Sequence, residues 1–516
     1  MEMTSGQITM LITMAVYLIA MVGIGFKLTE KNETVGDFFL GGRQLGPLVT
    51  AMSAEASDMS SYLLMGLPGL AYLSGTAEVG WTVIGLAVGT YLNWLIVAKR
   101  LRRYTERIGS ITIPEFFSNR WGDRHNLLTA IAAVWIIVFF VPYTASGFAA
   151  CGKLFRSLFG IDYHTAMIVS AVVIIFYTAL GGFLAASLTD FIQSIIMSLA
   201  LLAILLFGVF QAGGFEMVME NARSLPGYLS FTQTYDPVTR TSSAYDLLEI
   251  CSTLAWGLGY FGMPHILLRF MAIENEEKLG LSRRVASVWV VISMAIAVLI
   301  GMSGLGMSVR GVVPVLEGSA SETIIVEVAN LLSTYGIPAA LLAGVVLSGI
   351  LASTMSTADS QLLAASSSVS NDLLVNVLHL NIKKEQNLLV SRLSLVLIAV
   401  IGIVLAWNPE SSVFGIVSFA WAGFGASFGP LVLLALFWRR SNKYGALAGM
   451  VTGGVMVFVW KFAVRPKGGI LGIYELLPAF VLAILVNVLV TLVTPQPEKE
   501  ILDCYDSLQK RSEYKN

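Results

Sequence analysis

Two carboxylates, Glu55 and Asp58, stand three residues apart in Ala54-Glu55-Ala56-Ser57-Asp58-Met59-Ser60-Ser61, within a run long enough to cross a bilayer. An ionisable side chain at that depth costs several kcal/mol unless it is paired or hydrated, so it marks a functional position by default. At i and i+3 the two acids share one helix face. Their neighbours are small and hydroxyl-bearing, and Gly66 and Pro68-Gly69 follow, residues that interrupt helices. A broken helix frees carbonyl oxygens, which a membrane tolerates only where they face protein or a cavity. Oxygens of that kind suit a sodium ion held midway across the bilayer. Close packing of small residues is the competing reading, but packing does not require two acids.

Three further groups of residues carry chemistry. Ser353-Thr354-Met355-Ser356-Thr357-Ala358-Asp359-Ser360 precedes Ser366-Ser367-Ser368, and Ser353, Ser356, Thr357 and Ser360 recur at helical spacing on one face. Hydroxyl and carbonyl oxygens suit a hard cation; hydroxyls bonding back to their own helix is the alternative. The segment from Trp256 to His265 holds three glycines and Pro264, a pattern that predicts an unwound helix. Trp256 and Tyr260, at i and i+4, are expected one above the other as an aromatic wall for a small, partly apolar solute. An interfacial aromatic belt is the other reading. Asp190 follows Gly181-Gly182 and Thr189 at the start of another apolar run. It is a candidate second cation or proton site, or else a helix-start acid facing water. Arg269 and the charged run 274–284 are expected in a solvated loop.

The elements that must position these residues follow from composition. The chain has 516 residues, 56% hydrophobic and 13% charged, about half the usual charged fraction, and its mean hydropathy is +0.76. A water-soluble enzyme is excluded, because it must cover itself with polar groups. A net charge of −1 gives no electrostatic case for nucleic acid. The three cysteines and four histidines show no metal spacing, and no Walker-type loop is present. Gly425-Ala426-Ser427-Phe428-Gly429 matches a hydrolase pattern but lies in an apolar run, without the strand-turn-helix context that chemistry needs.

What remains is an all-α polytopic membrane protein. Spans of about 20 apolar residues are predicted near 7–26, 44–73, 76–98, 126–152, 163–182, 187–213, 246–268, 285–309, 336–362, 391–408, 412–438, 444–463 and 471–494, about thirteen in all. The first has no Lys or Arg before it and exceeds a signal-peptide core, so it reads as a retained span with its N-terminus outside. Lys99, Arg100, Arg102, Arg103, Arg107, Arg120 and Arg124 then fall in one cytoplasmic loop. The charged tail 496–516 is expected in the cytoplasm too. The interrupted second and seventh spans stand five apart, which points to an inverted repeat with halves at about 44–213 and 246–438.

At these residues the sequence resembles the sodium/solute symporter family, over about residues 8–495, and within it the bacterial members that carry proline. The match includes Leu40-Gly41-Gly42-Arg43, Ala56-Ser57-Asp58-Met59-Ser60, Met65-Gly66-Leu67-Pro68-Gly69, Gly181-Gly182-Phe183-Leu184-Ala185, Thr189-Asp190, Trp256 to His265, Met355-Ser356-Thr357, Ala420-Trp421-Ala422-Gly423-Phe424-Gly425 and Gly445-Ala446-Leu447-Ala448-Gly449-Met450. The resemblance implies a five-plus-five, leucine-transporter-type core of thirteen helices. It implies a sodium site from the Ala56 and Met59 carbonyls, the backbone at Ser353 and the hydroxyls of Ser356 and Thr357. Asp58 would tune sodium affinity, and Arg43 and Asp190 would serve coupling. Ser60, Tyr143, Trp256, Tyr260 and Pro264 would line the solute site.

The chain departs from that pattern at Glu55 in place of Gly, Ser61-Tyr62 in place of Gly-Trp, and Met263 in place of Gln. Tyr62 and Met263 thereby fall near the solute. Glu55 falls beside the cation, either adding a titratable group there or reaching cytoplasmic water. The expected function is sodium-coupled symport of L-proline into the cell by alternating access, among membrane lipids, with no enzymatic step and no cofactor beyond the transported sodium ion. Symport of another small zwitterion or a monocarboxylate is the nearest alternative. A transporter-like solute sensor is a third, set back by the short tail.

Overall fold

The computed structural model describes residues 4–31, 33–408 and 413–513; the first residue of the predicted 412–438 span and the last three of the tail lie outside that range. Among the described residues, ten helices are long and apolar enough to cross a membrane. Large apolar side chains such as Ile12, Val16, Leu206 and Phe210 point outward from them, the inverse of a water-soluble surface. The first, Ser5–Leu28, opens with a capping box in which Thr4 and Gln7 satisfy each other's backbone N–H groups. The predicted fifth and sixth spans are fused into one helix, Tyr163–Gln211, of 49 residues. At 1.5 Å per residue that is roughly 70 Å, twice a bilayer core. Gly182 leaves the helical conformation inside it at φ 63°, ψ −160°, a backbone state open to glycine and costly to other residues.

The two segments expected to be broken are broken. Helix Pro47–Ser61 ends as Ser60 turns to φ 48°, ψ −167°. A π turn, Tyr62–Gly66, follows, and helix Leu67–Ser74 completes the crossing. The break therefore precedes the predicted Gly66-Pro68-Gly69 site. Pro68 lies in the first turn of the next helix, where a missing N–H breaks no bond. The second broken segment consists of helix Leu247–Leu254, a 3₁₀ stretch Ala255–Phe261 and helix Pro264–Ala272. Gly257 in this stretch lies directly against the Gly85 carbonyl, which a Cβ would strike. That contact sets the 3₁₀ stretch backbone to backbone against helix Thr76–Leu92.

The connections are more ordered than their charge suggests. The basic loop 99–125 is largely helical (Ala98–Arg107 and Ile113–Trp121). Arg102, Arg103 and Arg120 are buried there, bonding the Ile273 carbonyl at 2.9 Å, Glu276 at 2.6 Å and the Ala435 carbonyl at 2.8 Å. The tail forms helix Lys499–Glu513 and docks through a bidentate Arg439–Asp506 pair at 2.7 and 2.8 Å. The 214–245 connection carries helix Phe215–Ser224 and a hairpin pairing Gln233–Asp236 with Thr241–Ala244.

Candidate functional site

Helix Ile337–Ser367 packs its serine-rich face on the first half of the broken 47–74 segment. The Ser356 hydroxyl donates to the Ala56 carbonyl at 2.8 Å and lies 3.3 Å from the Ser353 carbonyl. That Ser353 carbonyl also accepts from the Thr357 hydroxyl at 3.1 Å. Four of the five expected sodium-site residues thus meet in one buried knot of neutral oxygens, a donor set suited to a hard monovalent cation. Met59 lies on the same segment, its carbonyl taken by the Tyr62 N–H at the break. The hydroxyls of Ser353, Thr357 and Ser360 do bond back to their own helix; that of Ser356 also reaches across.

The two acids of the segment diverge. Asp58 accepts from the Tyr260 hydroxyl at 2.6 Å, which ties one broken helix to the other. Glu55 is 1% exposed, so it does not reach cytoplasmic water. One oxygen accepts from Thr90 at 3.0 Å and from the Trp94 indole at 2.9 Å, while the other has no partner among the described residues.

Beside Asp58 lies a cavity of about 20 Å³, lined by Met59, Tyr62, Leu86, Tyr143, Trp256, Val417 and Trp421. Of the expected solute-site residues it gathers Tyr62, Tyr143 and Trp256. Ser60 is buried at the break, its oxygen accepting from the Tyr62 N–H at 3.1 Å. Met263 and Pro264 are buried where helix Pro264–Ala272 starts. Trp256 and Tyr260 do not stand one above the other, because a 3₁₀ stretch repeats every three residues rather than 3.6. Trp256 stacks on Tyr62, ring centroids 5.9 Å apart at 17°. Tyr260 instead turns edge-on to Trp421 at 5.2 Å. A second, outer cavity of about 230 Å³ has Trp256 in its wall as well, with Glu78, Glu249, Arg465, Phe414 and Tyr474.

Arg269 overturns the solvated-loop expectation. It is 1% exposed and pairs with Asp190 at 3.0 Å. It also donates to Ser53 at 3.0 Å, Ser360 at 2.6 Å and the His265 carbonyl at 3.0 Å. Ser53 in turn donates to Asp190 at 2.6 Å. Asp190 is therefore a buried ion-pair partner rather than a helix-start acid in water. Asp359 lies next in the chain of bonds, accepting from Ser360 at 3.0 Å and Tyr177 at 2.7 Å. Arg43 stands apart from this network, at φ 58°. It bonds the Met271 carbonyl at 2.7 Å and the Ser110 carbonyl at 2.8 Å. Burial, with Arg102 nearby, pulls its guanidinium down to about 10. Arg269, Trp421, Phe414 and Tyr474 were not assigned from the sequence, although Trp421 falls inside one of the family-like motifs.

The family model described as the sodium:solute symporter family matches residues 38–453. The chain belongs to that family. Among its relatives, the sodium/proline symporter of Haemophilus influenzae is 41% identical over 97% of this chain and 97% of its own. The high-affinity proline transporter PutP of Bacillus subtilis is 40% identical over 95% and 99%. In fold, this symporter-family chain resembles a Na+-coupled sialic acid symporter in its substrate-bound outward-open state (TM-score 0.78, 17% identity, 95% and 98% covered). It also resembles Mhp1, a nucleobase-cation-symport-1 family transporter in a closed conformation (TM-score 0.54, 13% identity, 93% and 99% covered). The architecture is the leucine-transporter-type fold of sodium symporters, and the molecule is a multi-pass membrane transporter rather than an enzyme.

Proposed function

We propose that this family member carries L-proline into the cell together with sodium, by alternating access across thirteen membrane crossings. The N-terminus lies outside and the basic 99–125 region and C-terminal helix lie inside, in line with the preference of Lys and Arg for the cytoplasm. The observation that carries the reading is the Ser356 hydroxyl meeting the Ala56 carbonyl across two helices at 2.8 Å, four residues before the break at Ser60. The names of the near-full-length relatives support proline as the solute.

In this reading sodium binds first, on the Ala56, Met59 and Ser353 carbonyls and the Ser356 and Thr357 hydroxyls. It ties the broken helix to the serine-rich one. Asp58, held by Tyr260, supplies a nearby negative charge. Proline then settles among Ser60, Tyr62, Tyr143, Trp256, Tyr260, Met263 and Pro264. Its carboxylate faces backbone N–H groups at the breaks and its ring packs on the aromatics. Rocking of the two halves, about 44–213 and 246–438, releases both ligands inward. Glu55, Arg43 and Asp190 with Arg269 transmit between the halves.

One charge crossing 100 mV releases about 2.3 kcal/mol, and a tenfold sodium gradient adds about 1.4 kcal/mol. At one sodium per solute this sustains roughly 500-fold accumulation of a neutral zwitterion. Purified protein in liposomes should take up labelled proline when sodium is added outside, and a panel of unlabelled zwitterions and monocarboxylates should compete less well than proline. No sodium-driven proline uptake would refute the reading.

A further inference from the structure

A groove of about 490 Å³ runs along the lipid-facing side of the bundle, where helix Leu279–Val309 crosses the second half of Tyr163–Gln211 above the start of Pro47–Ser61. Its size falls within the roughly 300–1,000 Å³ of small-molecule sites. Met52, Leu201, Val285, Val288, Trp289 and Ile292 line it. The polar atoms in its wall are already satisfied. The Trp289 indole donates to Ser198 at 2.9 Å, Ser198 donates to the Ser194 carbonyl at 2.7 Å, and Ser293 donates to the Val290 carbonyl at 3.2 Å. The walls therefore offer an occupant apolar contact and no hydrogen bond.

The mouth of the groove is different. Arg284 lines it, is exposed, and has no carboxylate within ion-pair distance among the described residues. The acids of the adjoining turn are engaged: Glu274 with Lys278 at 2.6 Å, Glu276 with Arg103 at 2.6 Å, and Glu277 with a partner of its own. Arg283 beside it lies over the Tyr91 ring at 5.5 Å. The Ser282 hydroxyl bonds the Pro47 carbonyl at 2.8 Å, and the Glu276–Arg103 pair in the adjoining turn sets the mouth beside the basic 99–125 region. A slot without free polar groups, ending in an uncompensated guanidinium at the membrane surface, complements an acyl chain with an anionic headgroup.

We propose that this groove holds one anionic phospholipid of the leaflet at the basic end. An acyl chain lies on Met52, Val288 and Trp289, and the phosphate lies on Arg284. Met52 precedes Ser53, which bonds both Asp190 and Arg269, so the lipid rests on the broken segment one residue from its buried ion pair.

The full chain is purified from nanodiscs of equimolar phosphatidylglycerol and phosphatidylcholine, and retained lipid is counted by native mass spectrometry. Wild type should keep one phosphatidylglycerol in preference to phosphatidylcholine. Arg284→Gln should lower phosphatidylglycerol retention about fivefold, the weight of one cationic contact at a membrane surface, and leave phosphatidylcholine unchanged. Val288→Trp, which fills the slot, should lower both. Arg240→Gln, in the exposed hairpin turn at the far end, should change neither. Retention in Arg284→Gln equal to wild type would overturn the proposal, as would an equal loss in Arg240→Gln.

Discussion

Tyr474 lies flat on Trp256, ring centroids 5.1 Å apart and planes 17° from parallel. Trp256 borders both the small cavity beside Asp58 and the larger outer one, and Tyr474 borders only the outer one. The stacked pair thus separates the two spaces. Tyr474 is held from three sides. Its hydroxyl donates to the Ser418 carbonyl at 2.6 Å, its N–H donates to Ser252 at 2.7 Å, and its neighbour Glu475 is gripped by Arg465 at 2.8 Å and Lys461 at 3.7 Å. A residue outside both predicted repeats therefore backs the Trp256 ring on the side away from Asp58.

Removing that backing should loosen the Trp256 ring. A stacked aromatic pair contributes about 0.5–1.5 kcal/mol beyond its buried area, so Tyr474→Ala should raise the apparent proline constant roughly three- to tenfold while moving the sodium constant much less. Tyr474→Phe keeps the stack and should stay within about twofold. Uptake titrated separately in proline and sodium checks both. A larger change in the sodium constant would assign Tyr474 to the cation instead.

Ser356 and Ser353 separate hydroxyl from carbonyl. Ser356→Ala removes the hydroxyl that spans to Ala56 and should raise the sodium constant about tenfold, the usual weight of a hydrogen bond at a charged site. Ser353→Ala leaves the carbonyl in place and deletes only a bond to Ile350, so sodium activation should stay within about twofold. Equal effects in sodium-dependent uptake would show that the site uses these residues differently.

Asp58 makes its bond to Tyr260 across the two broken helices. Asp58→Asn should weaken sodium activation by about tenfold or more, since it removes a full charge beside the cation. Tyr260→Phe should give a smaller shift in the same direction. Sodium titration of uptake decides this, and an unchanged constant in Asp58→Asn would remove the residue from the site.

The Arg269–Asp190 pair is buried on both sides, at 1% and 0% exposure. Breaking such a pair by losing one partner costs about 3–5 kcal/mol, because the other charge is left buried and alone. Arg269→Gln should lower the thermal midpoint in detergent sharply. Adding Asp190→Asn to it should recover much of the loss, the non-additivity expected of contacting groups. Additive losses would mean that the two charges do not compensate each other.

Most of the fold was legible because lipid imposes a length rule on apolar runs. The predicted ends fall within two residues of the helix for 7–26, while the starts of 285–309 and 471–494 miss by six and five residues and their ends by at most one. The breaks were legible in kind and less so in place. Gly and Pro mark where a helix is free to end, whereas the bend at Ser60 comes from a residue with no breaker signature. Helical spacing put the hydroxyls of Ser353, Ser356 and Thr357 on one face, whereas Ala56 came only from the family resemblance; the structure brings the four residues together. Arg269 was misjudged because charge in a short linker between apolar runs ordinarily means water, and its buried acid, Asp190, lies 79 residues away.

The sequence by itself determined the solvent, the all-helical membrane class, the two interrupted segments and the hydroxyl-rich composition of the face opposite Ala56. Those are properties of local composition and period, which act within a turn or two of helix. Only the tertiary structure decided which oxygens face each other, that Glu55 turns to Thr90 and Trp94 while Asp58 turns to Tyr260, that Arg269 is neutralised inside, and that Tyr474 caps Trp256. These contacts join residues far apart in the chain. Their geometry is fixed by how helices pack and by close approaches such as Gly257 on Gly85, which no window along the sequence contains.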